Sequence, residues 1–323
     1  MAGAWTSQSP MPGGVRTQLA AVGFPGPTSA ALAGTLPPGS LLSIAGIYAF
    51  GGSLLTSTYF PRAERFDIVA NAWTTLPDMP KARVLPAVAA AHKWIYVIGG
   101  YGGTGASTSV DRFDPTTGTW VTSKTLTFPG LGLWSLGAAV VVVNGHLRLY
   151  VMGGNSNSIA TQVRWCEITA NGETGWNTGP SLNYARHSFG VAVVDNTIYC
   201  IGGMSDFSQE TSIEVLKPGA NKWTLHLNAL TTSRSAFGCA YSGGRIFLIG
   251  GDGPEHAMQT VEAIDPVTLK PSGAWAPMPS LRSQFGTASI PVFIMSPKDT
   301  IPIFVAGGDS NKTPIGTVDR FDP

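Results

Sequence analysis

The sequence predicts an all-β chain, a six-bladed β-propeller of four-stranded antiparallel blades whose ring is closed by the N-terminal strand in the last blade. Three recurrences carry this expectation. Gly-Gly pairs at 51-52, 99-100, 153-154, 202-203, 250-251 and 307-308 lie 48, 54, 49, 48 and 57 residues apart. Each pair ends a short apolar run, such as Ile95-Tyr96-Val97-Ile98 or Ile246-Phe247-Leu248-Ile249. A tryptophan follows the first five pairs after 21 to 25 residues: Trp73, Trp120, Trp176, Trp223 and Trp275.

Each element of the repeat has its own justification. An innermost strand opens at a segment of the form Arg-x-x-x-Gly, clearest in Arg186-His187-Ser188-Phe189-Gly190 and Arg234-Ser235-Ala236-Phe237-Gly238. The apolar run before Gly-Gly reads as a strand buried on both faces. Alternating segments such as Val110-Asp111-Arg112-Phe113-Asp114-Pro115 and Val318-Asp319-Arg320-Phe321-Asp322-Pro323 read as third strands. The tryptophan marks the outer strand, and a Met-Pro or similar turn leads to the next arginine.

The sixth unit lacks its tryptophan at the C-terminal end. Counting on from Pro323 to Met1 places Trp5 in that register, followed by Met11-Pro12 and Arg16. Residues 1–15 are therefore expected to supply the outer strand of the last blade, which leaves no free ring edge. Residues 1–323 then form a single propeller.

On these residues the chain resembles the Kelch-repeat family over essentially its whole length, as a stand-alone six-bladed member. In Kelch adaptor proteins, arginines at the Arg-x-x-x-Gly position and a tyrosine directly after Gly-Gly bind acidic peptides. Arg186, Arg234 and Arg282 match the first position and Tyr101 the second; Ser, Asn, Met and Asp stand at other copies of the tyrosine position. Bacterial Kelch-type mutarotases use arginines with an acid/base pair in the same mouth. Copper oxidases of the galactose-oxidase type share the blades but need a Tyr/His/Tyr metal site, which five scattered histidines do not supply.

Composition narrows the classes of function. Charged residues are 12% and the net charge is +1, so neither nucleic acid nor an anionic membrane is an expected partner. Glycine (40) and proline (24) fall at regular places, as many turns require. No apolar stretch reaches the length of a membrane helix. The start lacks the n- and h-regions of a signal peptide, and three cysteines make no disulfide framework, which favours a cytoplasmic monomer. No cofactor or metal motif is present. The segment around 23–40 is a long insert between the first two strands of its blade, read as a surface loop.

The candidate site is the mouth of the central channel. Arg16, Arg83, Arg186, Arg234 and Arg282 occupy equivalent positions, and Leu133 replaces the sixth. Five guanidinium forks around one opening would suit a carboxylate or phosphate. Tyr101, Asn155 and Asp252 share that face, and Trp134 with Leu131 and Leu133 would make one side apolar. The expected ligand is thus a small anionic or amphipathic molecule, or an acidic peptide. The alternative is a cofactor-free isomerase, mutarotase or cyclase, rather than a hydrolase or oxidase, with His187, Glu255 and His256 as proton carriers. A second alternative is a purely structural interaction propeller.

Overall fold

The computed structural model describes residues 2–25, 44–54, 58–128, 132–156, 158–169, 172–206, 208–290 and 300–323. Most of the 23–40 insert, and Leu131, lie outside these residues.

Six small antiparallel sheets form the six blades expected. Blade 1 runs Ala20–Phe24, Gly46–Phe50, Ala63–Asp67, Ala72–Leu76, and blade 2 runs Ala87–Ala91, Trp94–Ile98, Val110–Asp114, Thr119–Thr122. Blade 3 has longer strands, Gly137–Val143, His146–Met152 and Val163–Thr169, and a split outer position filled by Gly172–Glu173 and Asn177–Thr178. Blade 4 is Gly190–Val194, Thr197–Ile201, Ile213–Leu216, Thr224–His226. Blade 5 keeps three strands, Gly238–Ser242, Arg245–Ile249 and Val261–Ile264. Its fourth place is reduced to a bridge between Ile264 and Pro271, while Trp275 bridges to Ala2.

Blade 6 joins Gly286–Ser289, Ile303–Ala306 and Val318–Asp322 to the N-terminal strand Ala4–Gln8. Trp5 pairs with Phe321 in this sheet, and the two rings stack at 4.9 Å. The same cross-strand pair recurs as Phe66 with Trp73 and Phe113 with Trp120, at 5.2 and 5.0 Å. The repeated tryptophans are therefore blade-packing residues. Their rings cover apolar second strands such as Gly46–Phe50, which is buried along its whole length.

Two backbone circuits weld the blades together. In each blade, the second glycine of the Gly-Gly pair donates its N–H to the carbonyl at the arginine position of the next blade, at 2.7–3.1 Å, from Gly52 to Arg83 round to Gly308 with Arg16. This close approach explains the glycines. At Gly51 a Cβ would lie 2.2 Å from the Arg83 carbonyl oxygen, and its φ is +68°.

The second circuit is a closed collar around the channel. Gln18, Leu85, Ser135, Ser188, Ala236 and Gln284 each donate a backbone N–H to the carbonyl of the preceding member, at 2.7–3.0 Å. All six take a left-handed φ between 50° and 61°. The closed ring holds all six of these non-glycine residues at a backbone conformation they rarely adopt.

Candidate functional site

The five arginines do not line the mouth. Arg16, Arg83, Arg186, Arg234 and Arg282 are each no more than 1% exposed. Each turns into its own blade and pairs with an acid on the third strand. Arg186 reaches Glu214 at 2.9 Å, Arg234 reaches Glu262 at 3.2 Å, and Arg282 reaches Asp319 at 2.6 Å. Arg16 pairs with Glu64 and Arg83 with Asp111 in the same way. Four of the five also donate through Nη1 to the carbonyl of the first Gly-Gly glycine, at 2.8–3.1 Å. Burial pulls the Arg16, Arg83, Arg234 and Arg282 guanidinium pKa values down, and each acid partner opposes that pull.

The expectation of an arginine-lined, anion-accepting mouth is corrected by this geometry. A guanidinium buried to this degree and paired with a carboxylate presents no exposed fork to a ligand, even though each Nε is left without a partner. The acids stand in the alternating third strands, far from the arginines in sequence. The sequence signal of this pairing is a spacing of 28 residues, held in Arg83–Asp111, Arg186–Glu214 and Arg234–Glu262. Leu133 is likewise 3% exposed, in a cluster with Leu126, Phe128 and Leu136, and forms no wall of the mouth.

What the face does present comes from the residues beside the arginines. In every blade the residue after the arginine position bridges to the residue after Gly-Gly: Thr17 with Ser53, Val84 with Tyr101, Trp134 with Asn155, His187 with Met204, Ser235 with Asp252, and Ser283 with Asp309. This pairing carries the predicted site residues Tyr101, Trp134, Asn155, His187 and Asp252 onto one surface.

That surface has two unlike halves. Over blades 1 to 4 runs an aromatic ridge. Tyr59 meets Tyr101 at 6.1 Å, Tyr101 meets Trp134 at 6.2 Å, and Trp134 meets His187 at 5.8 Å. Tyr59, Tyr101 and Trp134 line a hollow of 230 Å³ with Gln18, Val84 and Leu85. Tyr101 is 38% exposed, unusual for a ring with so many neighbours.

The opposite half, over blades 5 and 6, is acidic rather than cationic. Asp309 is held by Thr17 Oγ1 at 3.0 Å, Ser283 Oγ at 3.4 Å and the Lys312 N–H at 3.2 Å. Half-buried Asp252 has its carboxyl pKa raised by burial, a shift that Ser283 opposes and the charge of Asp309 reinforces.

The proposed proton carriers are not brought together. His187 is half-buried, and its Nδ1 lies 3.0 Å from Ser188 Oγ. Burial lowers its pKa, against the pull of Asp206, so its ring is neutral at pH 7. Glu255 and His256 are exposed in the blade 5 loop, where His256 offers its carbonyl to the Gly253 N–H. Among the described residues no contact links this pair to His187, and no cluster of three His, Cys, Asp or Glu could hold a metal. Nor is any described helix long and apolar enough to cross a membrane.

Comparison with known proteins agrees with this architecture. The Kelch motif matches residues 46–80, 82–127, 185–225 and 233–282, more than half of the chain. The matched segments pass over most of blade 3, where Leu133 replaces the arginine. The chain is 36% identical over 135 residues to the F-box/kelch-repeat protein At1g67480 of Arabidopsis thaliana, covering 42% of this chain and 33% of that protein. It is 27% identical over 199 residues to Kelch-like protein 40 of Mus musculus, covering 60% and 30%. It is 23% identical over 242 residues to Kelch-like protein 36 of Rattus norvegicus, covering 72% and 38%. The chain thus spans about a third of the length of these relatives. With six blades, their Gly-Gly staples and these matched repeats, the chain belongs to the Kelch-repeat family.

Proposed function

We propose that this propeller is a protein-recognition module whose Gly-Gly loop face takes a polypeptide segment carrying an apolar residue and a basic one. The observation that carries this reading is the division of that face. The hollow beside Tyr59, Tyr101 and Trp134 suits an aliphatic or aromatic side chain. Half-buried Asp252, across the collar and backed by buried Asp309, suits a lysine or arginine. The Kelch-like relatives support a role in protein interaction.

An acidic peptide or small carboxylate has less to recommend it, because the guanidinium groups that would receive it are already paired. Catalysis by the same mouth is also less favoured, since His187 stands apart from exposed Glu255 and His256. Selection from a random peptide library tests the assignment. The expected consensus has a basic residue a few positions from an apolar one. Trp134→Ala and Asp252→Asn should each weaken a selected peptide by about tenfold. An acidic consensus, or binding indifferent to both substitutions, would reject this reading.

A further inference from the structure

The hollow in the aromatic half of the loop face is lined by three rings from three successive blades, Tyr59, Tyr101 and Trp134. Val84 and the collar residues Gln18 and Leu85 complete it. The ring planes turn by 66° from Tyr59 to Tyr101 and by 74° from Tyr101 to Trp134. Neighbouring rings at such angles stand as walls around a space instead of closing it by stacking face to face.

The walls are set before any ligand arrives. Tyr101 exchanges two backbone hydrogen bonds with Val84, at 2.8 and 2.9 Å, and Trp134 exchanges two with Asn155, at 3.0 and 2.9 Å. Tyr59 is fixed by its pairing with Ser53 and by the Phe60 N–H on the Gly52 carbonyl at 2.9 Å. Binding therefore costs little ordering of the backbone.

Two phenols and an indole offer electron-rich faces that attract a cation. The chain's own cations do not use them: among the described residues, arginine and lysine lie over Phe60, Trp94, Trp165 and Trp275. The lining has no charged side chain either. An unmodified ammonium would give up its hydrogen bonds to water and find no carboxylate here to accept its N–H groups. A trimethylated ammonium has no N–H to satisfy and meets the rings with an apolar, positively charged surface. At 230 Å³ the hollow exceeds the cavity of about 150 Å³ known to hold benzene, a molecule of similar bulk to the trimethylammonium head.

From this geometry we infer that the hollow is an aromatic cage for a trimethylated lysine of the bound polypeptide. The inference rests on the reading of the loop face as a peptide-receiving surface, and it names the residue that enters the aromatic half. Methylation of the partner then controls its capture.

Four probes test the claim by NMR titration of the full chain: Nα-acetyl-trimethyl-lysine amide, its neutral isostere with carbon in place of the ammonium nitrogen, the unmethylated amide, and choline. Trimethyl-lysine should bind about five- to tenfold more tightly than the isostere, and at least as much more tightly than unmethylated lysine. Choline, which shares only the head, should bind several-fold more weakly. Tyr101→Leu should cut the preference over the isostere to about twofold or less, while Tyr101→Phe keeps it. Both should leave the melting temperature unchanged, since this ring is 38% exposed. Tyr59→Leu repeats the test from a second wall. If the isostere binds as tightly as trimethyl-lysine, the inference is overturned and the peptide-receiving face stands, with an ordinary apolar residue in the hollow. The inference is also overturned if choline or unmethylated lysine binds as tightly, or if the preference survives both leucine substitutions undiminished. Failure of all four probes overturns it too, and the peptide-library selection then decides separately whether the face receives a polypeptide.

Discussion

Blade 3 and the other five blades solve the same mechanical problem with opposite chemistry. In five blades a buried arginine ties the start of the inner strand to an acid on the third strand. In blade 3 both partners have changed, the arginine position to Leu133 and the acid position to Arg164. A cluster of Leu126, Phe128, Leu133 and Leu136, with Trp176 packed against it, stands where the ion pair would be. The backbone duties are untouched. Gly100 still donates to the Leu133 carbonyl at 2.8 Å, and Ser135 still donates to Leu85 at 2.9 Å. The strut is therefore separable from the Gly-Gly staple and the collar, and apolar packing can replace it. That follows the general behaviour of buried ion pairs, which break even with well-packed apolar groups but are costly to half-remove.

The largest effect expected from this contrast is the loss of one partner. Arg83→Ala leaves Asp111 buried with only Thr122 Oγ1 to satisfy it. Urea unfolding should show a loss of about 3–5 kcal/mol. The paired change Arg83→Leu with Asp111→Val imitates blade 3 and should recover most of that loss. If the pair is as damaging as the single substitution, the two chemistries are not interchangeable. Blade 2 is the place for this experiment. In blades 1, 4 and 5 the acid also accepts backbone N–H groups, Glu64 from Gly13, Glu214 from Asn183 and Tyr184, and Glu262 from Thr231, and in blade 6 Asp319 accepts the hydroxyl of Ser7 from the ring-closing strand. In those blades an apolar pair would strand these donors as well.

The reverse exchange should cost less. Leu133→Arg with Arg164→Glu rebuilds the strut inside an apolar cluster, and the expected loss is about 1–4 kcal/mol, from desolvation and broken packing. A gain in stability would mean that blade 3 is a defect rather than an alternative solution. Loop-face peptide binding serves as a control, since the aromatic ridge passes through Trp134, one residue beyond the exchange.

Much of this architecture is legible in the sequence because it rests on strict local demands. A Gly-Gly pair whose Cβ atoms would strike a neighbouring carbonyl cannot vary, so the period survives at 48 to 57 residues. Trp5 falls in register across the two ends because it pairs with Phe321 as Trp73 does with Phe66 and Trp120 with Phe113. The site is less legible. The 28-residue spacing of arginine and acid holds in only three of the five pairs, stretching to 48 between Arg16 and Glu64 and to 37 between Arg282 and Asp319. Read without their partners, five arginines look like an anion site; paired, they are struts. The collar was equally silent, because its six residues share a backbone angle and no side-chain type. Asp252 and Tyr101 could be placed on the loop face, but their division into acidic and aromatic halves depends on which way the arginines turn.

The smallest expected difference lies in the tryptophans. Five of the repeated indoles donate Nε1–H to a carbonyl: Trp5 to Ala276, Trp73 to Ser9, Trp120 to Pro77, Trp223 to Pro180 and Trp275 to Ser272, all at 2.8–2.9 Å. Trp176 in blade 3 does not. Its Nε1 is buried without a partner among the described residues, and its ring stacks on Phe128 at 5.4 Å and 10°. Replacing tryptophan by phenylalanine removes similar volume in either place, so the packing losses are comparable. In blade 4, Trp223→Phe also deletes a hydrogen bond and leaves the Pro180 carbonyl short of a donor. In blade 3, Trp176→Phe deletes only an unsatisfied N–H. The first substitution should therefore cost about 1 kcal/mol more than the second. Denaturant midpoints of the two variants, compared at equal slope, read that difference directly. Equal losses would show that the Trp176 N–H is satisfied in solution, and blade 3 would then differ from its neighbours in its strut alone.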